Sequence, residues 1–270
     1  MRYFKEFYRF LKHVKASRSL LKVLIKNDFK KQYLGSYFGL IWAFLQPLSF
    51  MFVIWFVFES GLRSTSPNGD IPFFLWLISA MIPWFFFASA LSSGTNAIVS
   101  NSFLVKKVAF RVSILPMVQL GSTLIIHLGL LLFLLCVLVL YGIYPTWYWI
   151  QVLYYLFSAL VLLLGITWLT SSLRVFVKDI TNFVGVLLQM GFWFTPIFWS
   201  VDKIPEKYSF IIKLNPAYYI TNGYRETFLE QKWFWQTPYE MLQFWLITIA
   251  FFIFGAVVFK RLRIHFGDVI

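Results

Sequence analysis

VSILPMVQLGSTLIIHLGLLLFLLCVLVLY, residues 112–141, contains no Asp, Glu, Lys or Arg. As a helix rising 1.5 Å per residue this run reaches about 45 Å, more than the roughly 30 Å of hydrocarbon in a bilayer. It therefore predicts a transmembrane helix that tilts or extends beyond the lipid. Outward from it, apolar runs of comparable character recur at 37–58, 71–93, 150–173, 183–200 and 240–259. The run at 183–200 is short and interrupted by Gly185, Gly191 and Pro196. The expectation is an all-α membrane protein of six spans. Its single domain, 1–270, divides into a cytoplasmic interfacial segment (1–31), a six-span body (37–259) and a cytoplasmic tail (260–270). Composition agrees, because 60% of residues are hydrophobic and 13% charged, whereas soluble domains run near 45–50% apolar and about 25% charged. No soluble core absorbs that excess.

The net charge of +13 would suit a nucleic-acid binder if it were gathered on one polar face. Here the cations sit between the apolar runs, so no nucleic-acid partner is expected. Eighteen of the 24 Lys and Arg fall in alternate segments: 1–36, the second-to-third connection (Lys106, Lys107, Arg111), the fourth-to-fifth (Arg174, Lys178) and the tail. The other three connections hold six cations beside seven of the eleven acids. Because cytoplasmic segments carry the excess of Lys and Arg, both termini are predicted to be cytoplasmic. About 35 charge-rich residues precede the first long run and no A-x-A site follows it, so that run is expected to be retained rather than cleaved as a signal.

Residues 3–15 place Phe4, Phe7, Tyr8, Leu11 and Val14 at helical spacing opposite Lys5, Arg9, Lys12 and Lys15. This amphipathic pattern predicts an interfacial helix, either an anchor on anionic lipid or a docking surface for a cytoplasmic partner. Between the fifth and sixth runs, 205–214 and 216–231 read as two short Pro-started helices, the second capped by Asn215. Neither can span, and both are expected at the outer interface or dipping into it.

Chemistry is sparse. The chain has no G-x-x-x-x-G-K-[ST] phosphate loop, no H-E-x-x-H and no G-x-S-x-G. A single cysteine, Cys136, builds neither a disulfide nor a thiolate metal site, and no metal centre is expected. Among the His residues only His127 lies in a predicted span, where a hydrogen-bonded packing role is the first expectation. Asp202 with Glu206, and Glu226 with Glu230, recur at one helical turn, as paired carboxylates of a membrane transferase would. Nearby Lys203, Lys207 and Arg225 favour a solvated ion-pair surface instead. No Asp, Glu or Lys falls deep in a predicted span, which favours a pore or an externally powered transporter over an ion-coupled carrier.

Residues 33–47 read YLGSYFGLIWAFLQP, with Tyr33, Gly35 and Gly39 leading from a basic helix into the first span. Further along stand VKKVAFRVSILP (105–116), RVFVKDI (174–180), FWFTPIFW (192–199) and KLNPAYYITNGYRETFL (213–229), which carries Asn215, Pro216 and Arg225. Together these stretches resemble the membrane subunit of type-2 ATP-binding-cassette exporters. The likeness covers nearly the whole chain and points to the branch that exports lipid-linked teichoic acid or O-antigen polysaccharide.

The resemblance implies a homodimer in a bacterial plasma (inner) membrane, paired with two copies of an ATPase subunit that binds ATP and Mg. The chain itself would hold no cofactor. Its substrate would be a polymer on undecaprenyl diphosphate, with teichoic acid slightly favoured. A multidrug or small-lipid exporter of the same superfamily, or a membrane transferase using the outer carboxylates, are the alternatives. In the family the cytoplasmic connections dock on the ATPase, which implies a coupling role for Lys106, Lys107, Arg111, Arg174 and Asp179. Ordinary positive-inside charge would explain the same cations. A basic cytoplasmic face would also suit the diphosphate of the carrier.

In the first span Gly35, Gly39, Trp42, Gln46, Ser49, Val53 and Phe56 recur at helical spacing, and in the fifth Asn182, Gly185, Gln189, Phe192, Trp193, Pro196 and Ser200 do so. Either these are close-packed contacts between spans, or Trp42, Phe56, Phe192 and Trp193, with Gln46, Ser49 and Gln189, line a substrate channel. Phe44 and Trp55 fall on the opposite arc of the first span and are predicted to face lipid.

Overall fold

The computed structural model describes residues 17–33, 38–61, 66, 71–106 and 110–269. Among them there is no strand. The helices are α1 (Arg18–Tyr33), α2 (Leu40–Phe56), α3 (Phe73–Asn96), α4 (Leu115–Leu140), α5 (Val152–Phe176), α6 (Ile180–Phe194), α7 (Glu206–Lys213), α8 (Pro216–Arg225) and α9 (Pro238–Leu262). Short helical turns extend several of them, including a π-helical turn, Val57–Gly61, that prolongs α2.

Five helical segments are long and apolar enough to cross a bilayer: Leu40–Gly61, Phe73–Asn96, Val112–Leu140, Trp147–Phe176 and Pro238–Val269. They fall on five of the six predicted runs. At 183–200 the structure departs from the prediction, because α6 has only 15 residues and so covers about 22 Å. Thr195 takes an extended backbone conformation, as a residue before proline prefers, and helix gives way to the buried irregular segment 195–198. Gly39, at the entry to α2, has φ 45°, a conformation that costs little only for glycine. The predicted interfacial helix at 3–15 lies outside the described residues.

At the centre stands α3, whose Leu75, Leu77, Ile78, Ala80, Met81 and Ile82 are fully enclosed. Around it pack α4, α5, α6 and α8, with α2 more loosely attached. The widest interface joins α5 to α9. It depends on two glycines, since a Cβ on Gly255 would lie 2.1 Å from the Gly165 carbonyl oxygen and one on Gly165 would lie 2.7 Å from the Phe252 backbone. Small residues let the two backbones touch, and in lipid such contact replaces the hydrophobic drive between helices.

On α4, Gly121 leaves room for the Ile25 side chain of α1, and Gly129 for the Phe44 ring of α2. Trp55 meets Phe74 edge to face, with centroids 5.5 Å apart, and its indole Nε1–H donates to Glu59. Phe44 and Trp55 therefore face the subunit, correcting the expectation that this arc meets lipid. The opposite arc is the open one, and within α2 only Met51 is buried.

The helix pair after α6 was legible in outline. α7 and α8 replace the predicted 205–214 and 216–231, the second ending as a π-helical turn, Glu226–Glu230. Asn215 is the expected cap, its side-chain oxygen accepting from the Ala217 N–H at 3.0 Å. α8 dips into the bundle, because Tyr224 at its far end reaches His127 midway along α4, with Oη and Nε2 2.8 Å apart.

Candidate functional site

Two regions collect the residues singled out in the sequence. The first is the open face of α2 and α6. Trp42, Gln46, Ser49 and Val53 succeed one another along α2 and, with Leu45 and Phe50, line an open groove of about 530 Å³. Their spacing of three or four residues places them on one face of a helix. Phe50 crosses to α6, its ring centroid 5.6 Å from that of Phe192. On α6, Gln189 and Trp193 are exposed. Phe56 is exposed at the other end of α2.

Phe192 takes a different place from the one predicted. It is buried, wedged among Phe50, Trp84, Trp193 and Phe198 with centroids 5.6 to 6.0 Å away. Its ring is a spacer between α2, α3 and α6, and it leaves Trp193 as the aromatic on the open side. The groove offers flat indole and phenyl faces, an amide at Gln46 and a hydroxyl at Ser49, and Gln189 adds a second exposed amide on α6. α2 carries no ionised side chain at all. Such a lining exchanges hydrogen bonds and apolar contacts with a neutral, hydroxyl-rich or lipidic surface, without a deep electrostatic trap.

The second region is the end of the bundle where α3 stops, α5 stops and α6 begins. Arg174 donates from Nε to the Thr181 hydroxyl at 2.6 Å. That hydroxyl donates to Asn96 Oδ1 at 3.0 Å, and Asn96 Nδ2 donates to the Ser92 carbonyl at 3.0 Å. One turn before Arg174, Thr170 bonds Thr95 across the same α3–α5 seam, with 2.9 Å between their oxygens. Asp179 is exposed five residues after Arg174, and Lys106 and Arg111 are exposed in the connection between α3 and α4, whereas Lys107 and Gly35 lie outside the described residues.

At this end α1 is also pinned to α4. Gln119 donates from Nε2 to Asp28 Oδ1 at 2.7 Å, and Gln32 donates to Asp28 Oδ2 at 2.9 Å. Sequence reasoning missed this amide and carboxylate triangle. The available signal was Gln119, an isolated amide near the start of an otherwise apolar run.

Arg225 corrects a further expectation. It belongs to no solvated ion-pair surface but is 2% exposed. It donates from Nε to the Trp76 carbonyl at 3.1 Å, from Nη1 to the Pro196 carbonyl at 2.7 Å and from Nη2 to the Ile197 carbonyl. Glu226 beside it is also buried, accepting from the Tyr155 hydroxyl at 3.0 Å and from Asn222 Nδ2 at 2.9 Å. Glu230 pairs instead with Lys232, at 2.7 Å. Asn215 completes the clasp by donating from Nδ2 to Thr195 at 2.9 Å. These bonds tie α8 to the broken end of α6, where the freed carbonyls of 196 and 197 need donors in a lipid setting. Among the described residues no group of His, Cys, Asp and Glu could hold a metal ion.

Apolar helices of spanning length, a helix dipping back into the bundle, and an uncharged groove along one face define a multi-pass membrane protein of the transporter kind. Residues 19–229 match the family model for the ABC-2 type transporter, and the chain belongs to that family. It is similar to two proteins of Klebsiella pneumoniae named O-antigen export system permease protein RfbA, 28% and 26% identical over 253 residues, 93% of this chain and 95% of each relative. A protein of the same name from Myxococcus xanthus is 27% identical over 83% of this chain and 85% of its own length.

Proposed function

We propose that this chain is the membrane subunit of an ATP-driven exporter of cell-surface polysaccharide. It works as a homodimer with two copies of a separate ATPase subunit, which binds the ATP and Mg. The substrate is an O-antigen-type or teichoic acid polymer carried on undecaprenyl diphosphate, moved across a bacterial inner membrane. The observation that carries this reading is the likeness to O-antigen export permeases along 93% of the chain. It favours the O-antigen type over teichoic acid, which the overall resemblance of the sequence slightly favours. The uncharged aromatic and amide groove of α2, with the exposed Gln189 and Trp193 of α6, supports it, since two copies facing each other there would enclose a lining suited to sugar C–H faces and hydroxyls.

Topology follows from the same reading. With both termini cytoplasmic the number of crossings is even, so α6 with the segment after it makes the sixth. The buried Glu226 counts against the transferase alternative, because its carboxylate is committed to Tyr155 and Asn222. The deciding experiment pairs copurification of the chain with the ATPase encoded beside it and surface-polymer analysis of a deletion strain. Expected are a stable complex, ATP-dependent export and intracellular accumulation of lipid-linked polymer on deletion. A chain that purifies without an ATPase and whose loss leaves surface polymer unchanged overturns the reading.

A further inference from the structure

Arg174 sits at the end of α5 with its guanidinium half in use. Its Nε is bound to Thr181, while Asn96, its own amide oriented by the Ser92 carbonyl, makes the Thr181 hydroxyl a donor toward Oδ1 and hence an acceptor toward Arg174. Three helices thereby fix the plane of the guanidinium. Its terminal Nη1 and Nη2 form no hydrogen bond and no ion pair among the described residues. Asp179, five residues along, does not pair with it. Arg174 remains partly accessible, so this edge opens outward from the helix junction. A planar pair of N–H donors held rigid on one edge and open on the other is the geometry that receives two oxygens of one phosphate.

The surroundings favour an anion further. Lys178 is exposed in the following turn, and Thr181 is the second residue of α6, whose positive dipole end faces the junction with the exposed Asp179 carboxylate at its N-cap. Ser92 and Asn182 are exposed on α3 and α6 near the same junction and could supply hydroxyl and amide donors.

We propose that Arg174, oriented by Thr181 and Asn96, is a phosphate-recognition residue that receives the diphosphate of a polyprenyl diphosphate-linked substrate at the cytoplasmic mouth beside α6. This rests on the exporter reading above, and it gives Arg174 a role different from docking the ATPase. Thr181 and Asn96 are positioning residues.

The test is binding of farnesyl diphosphate, farnesyl monophosphate, inorganic diphosphate and phosphatidylglycerol to the nucleotide-free complex of the chain with its ATPase in neutral-lipid nanodiscs. Expected for R174Q is a loss of farnesyl diphosphate affinity of about tenfold or more, the size of a lost charge-assisted bidentate contact. T181V keeps the charge but frees the guanidinium, and should weaken binding several-fold while lowering the preference for diphosphate over monophosphate. A merely structural role would leave that preference unchanged. Unaltered affinity in both variants overturns the inference, as does an equal loss for phosphatidylglycerol, which would mark a general headgroup contact. Loss for inorganic diphosphate alone would place the site with a free anion and overturn it as well. Should R174Q fail to fold, T181V decides. If the wild-type complex exports polymer but binds no polyprenyl diphosphate, this inference falls while the exporter reading stands. If no polymer is exported at all, the exporter reading falls instead.

Discussion

The Arg225 guanidinium lies 3.4 Å from the centre of the Trp76 ring while donating to the carbonyl of that same residue. One side chain thus stacks on α3, bonds its backbone and holds the carbonyls of Pro196 and Ile197 at the broken end of α6. Removing it strands two buried acceptors, the Pro196 and Ile197 carbonyls, and takes away a third bond to the Trp76 carbonyl, which Ser79 also serves at 3.0 Å, together with a cation–π contact, each worth on the order of 1–3 kcal/mol. Arg225→Ala is therefore expected to destabilise the fold by at least about 3 kcal/mol, and Arg225→Lys, which lacks the planar fork, by somewhat less. Thermal unfolding in detergent measures it. A midpoint for Arg225→Ala equal to that of the wild type would refute the clasp.

Beside it, burial pushes the Glu226 carboxyl up to about 7, against the opposing hydrogen bond from Tyr155 and with reinforcement from Glu230 and Glu240. The folded state thus holds this proton more tightly than the unfolded chain, whose carboxyl titrates near 4.5. The resulting stability is present in full below about 4.5 and is lost as pH rises through about 7. The thermal midpoint of the wild type is expected to fall between pH 5 and pH 8 by more than that of Glu226→Gln, which cannot ionise. Parallel pH profiles for the two proteins would show that Glu226 does not titrate there.

Glycine placement separates contact from empty space. A Cβ at Gly255 would overlap the Gly165 carbonyl oxygen, whereas one at Gly185 meets nothing within 4 Å. Gly255→Ala must push α9 off α5 and should cost about 1–3 kcal/mol. Gly185→Ala, in the interior of α6, should be neutral or stabilise by up to about 1 kcal/mol. Size-exclusion yield and thermal midpoint distinguish them, and the reverse order would contradict the packing.

How much of this was legible follows from what each feature depends on. The five long helices were readable because lipid demands continuous apolar runs, and the Asn215 cap because Asn followed by Pro marks a helix start locally. The burial of Arg225 and Glu226 was not readable. Their neighbours in sequence are the polar Asn222 and Glu230, and the groups that enclose them, Trp76, Pro196 and Tyr155, come from distant segments. The two faces of α2 were separable by spacing, but periodicity alone does not say which face meets protein. The answer lay in Gly129, whose missing side chain admits Phe44. Likewise Phe192 and Trp193 are adjacent aromatics, and only packing against Phe50 and Trp84 makes one a spacer and leaves the other open.

Topology is tested by cysteine labelling on a background with the exposed Cys136 replaced. Ser66 is a poor reporter for the first outer connection, since it is buried and donates to the Ile71 carbonyl at 2.6 Å. Lys207 and Ser100 are exposed. Lys207→Cys is expected to react with an impermeant maleimide from outside and Ser100→Cys only after the membrane is opened. Labelling of both from one side would rule out the six-crossing arrangement.

The substrate path is decided by variants chosen on the observed faces. Trp42 and Trp193 are 52% and 54% exposed; Trp42 lines the groove and Trp193 edges against Phe192 and Phe198, so about half of each side chain lies outside the packed interior. Phe44 fills the space over Gly129 and Trp55 packs on Phe74, so their truncation opens cavities of the kind that cost about 3–5 kcal/mol in soluble cores. Leu246, 61% exposed on α9, is remote from the groove residues and serves as the neutral comparison. Trp42→Ala and Trp193→Ala are expected to fold at wild-type yield and lower polymer export several-fold. Phe44→Ala and Trp55→Ala should lower yield first, with export per folded complex largely kept, and Leu246→Ala should change neither. Export by labelled-polymer assay, normalised to folded complex, reads the difference. Full export by both tryptophan variants would mean that the groove faces lipid or a partner rather than the polymer.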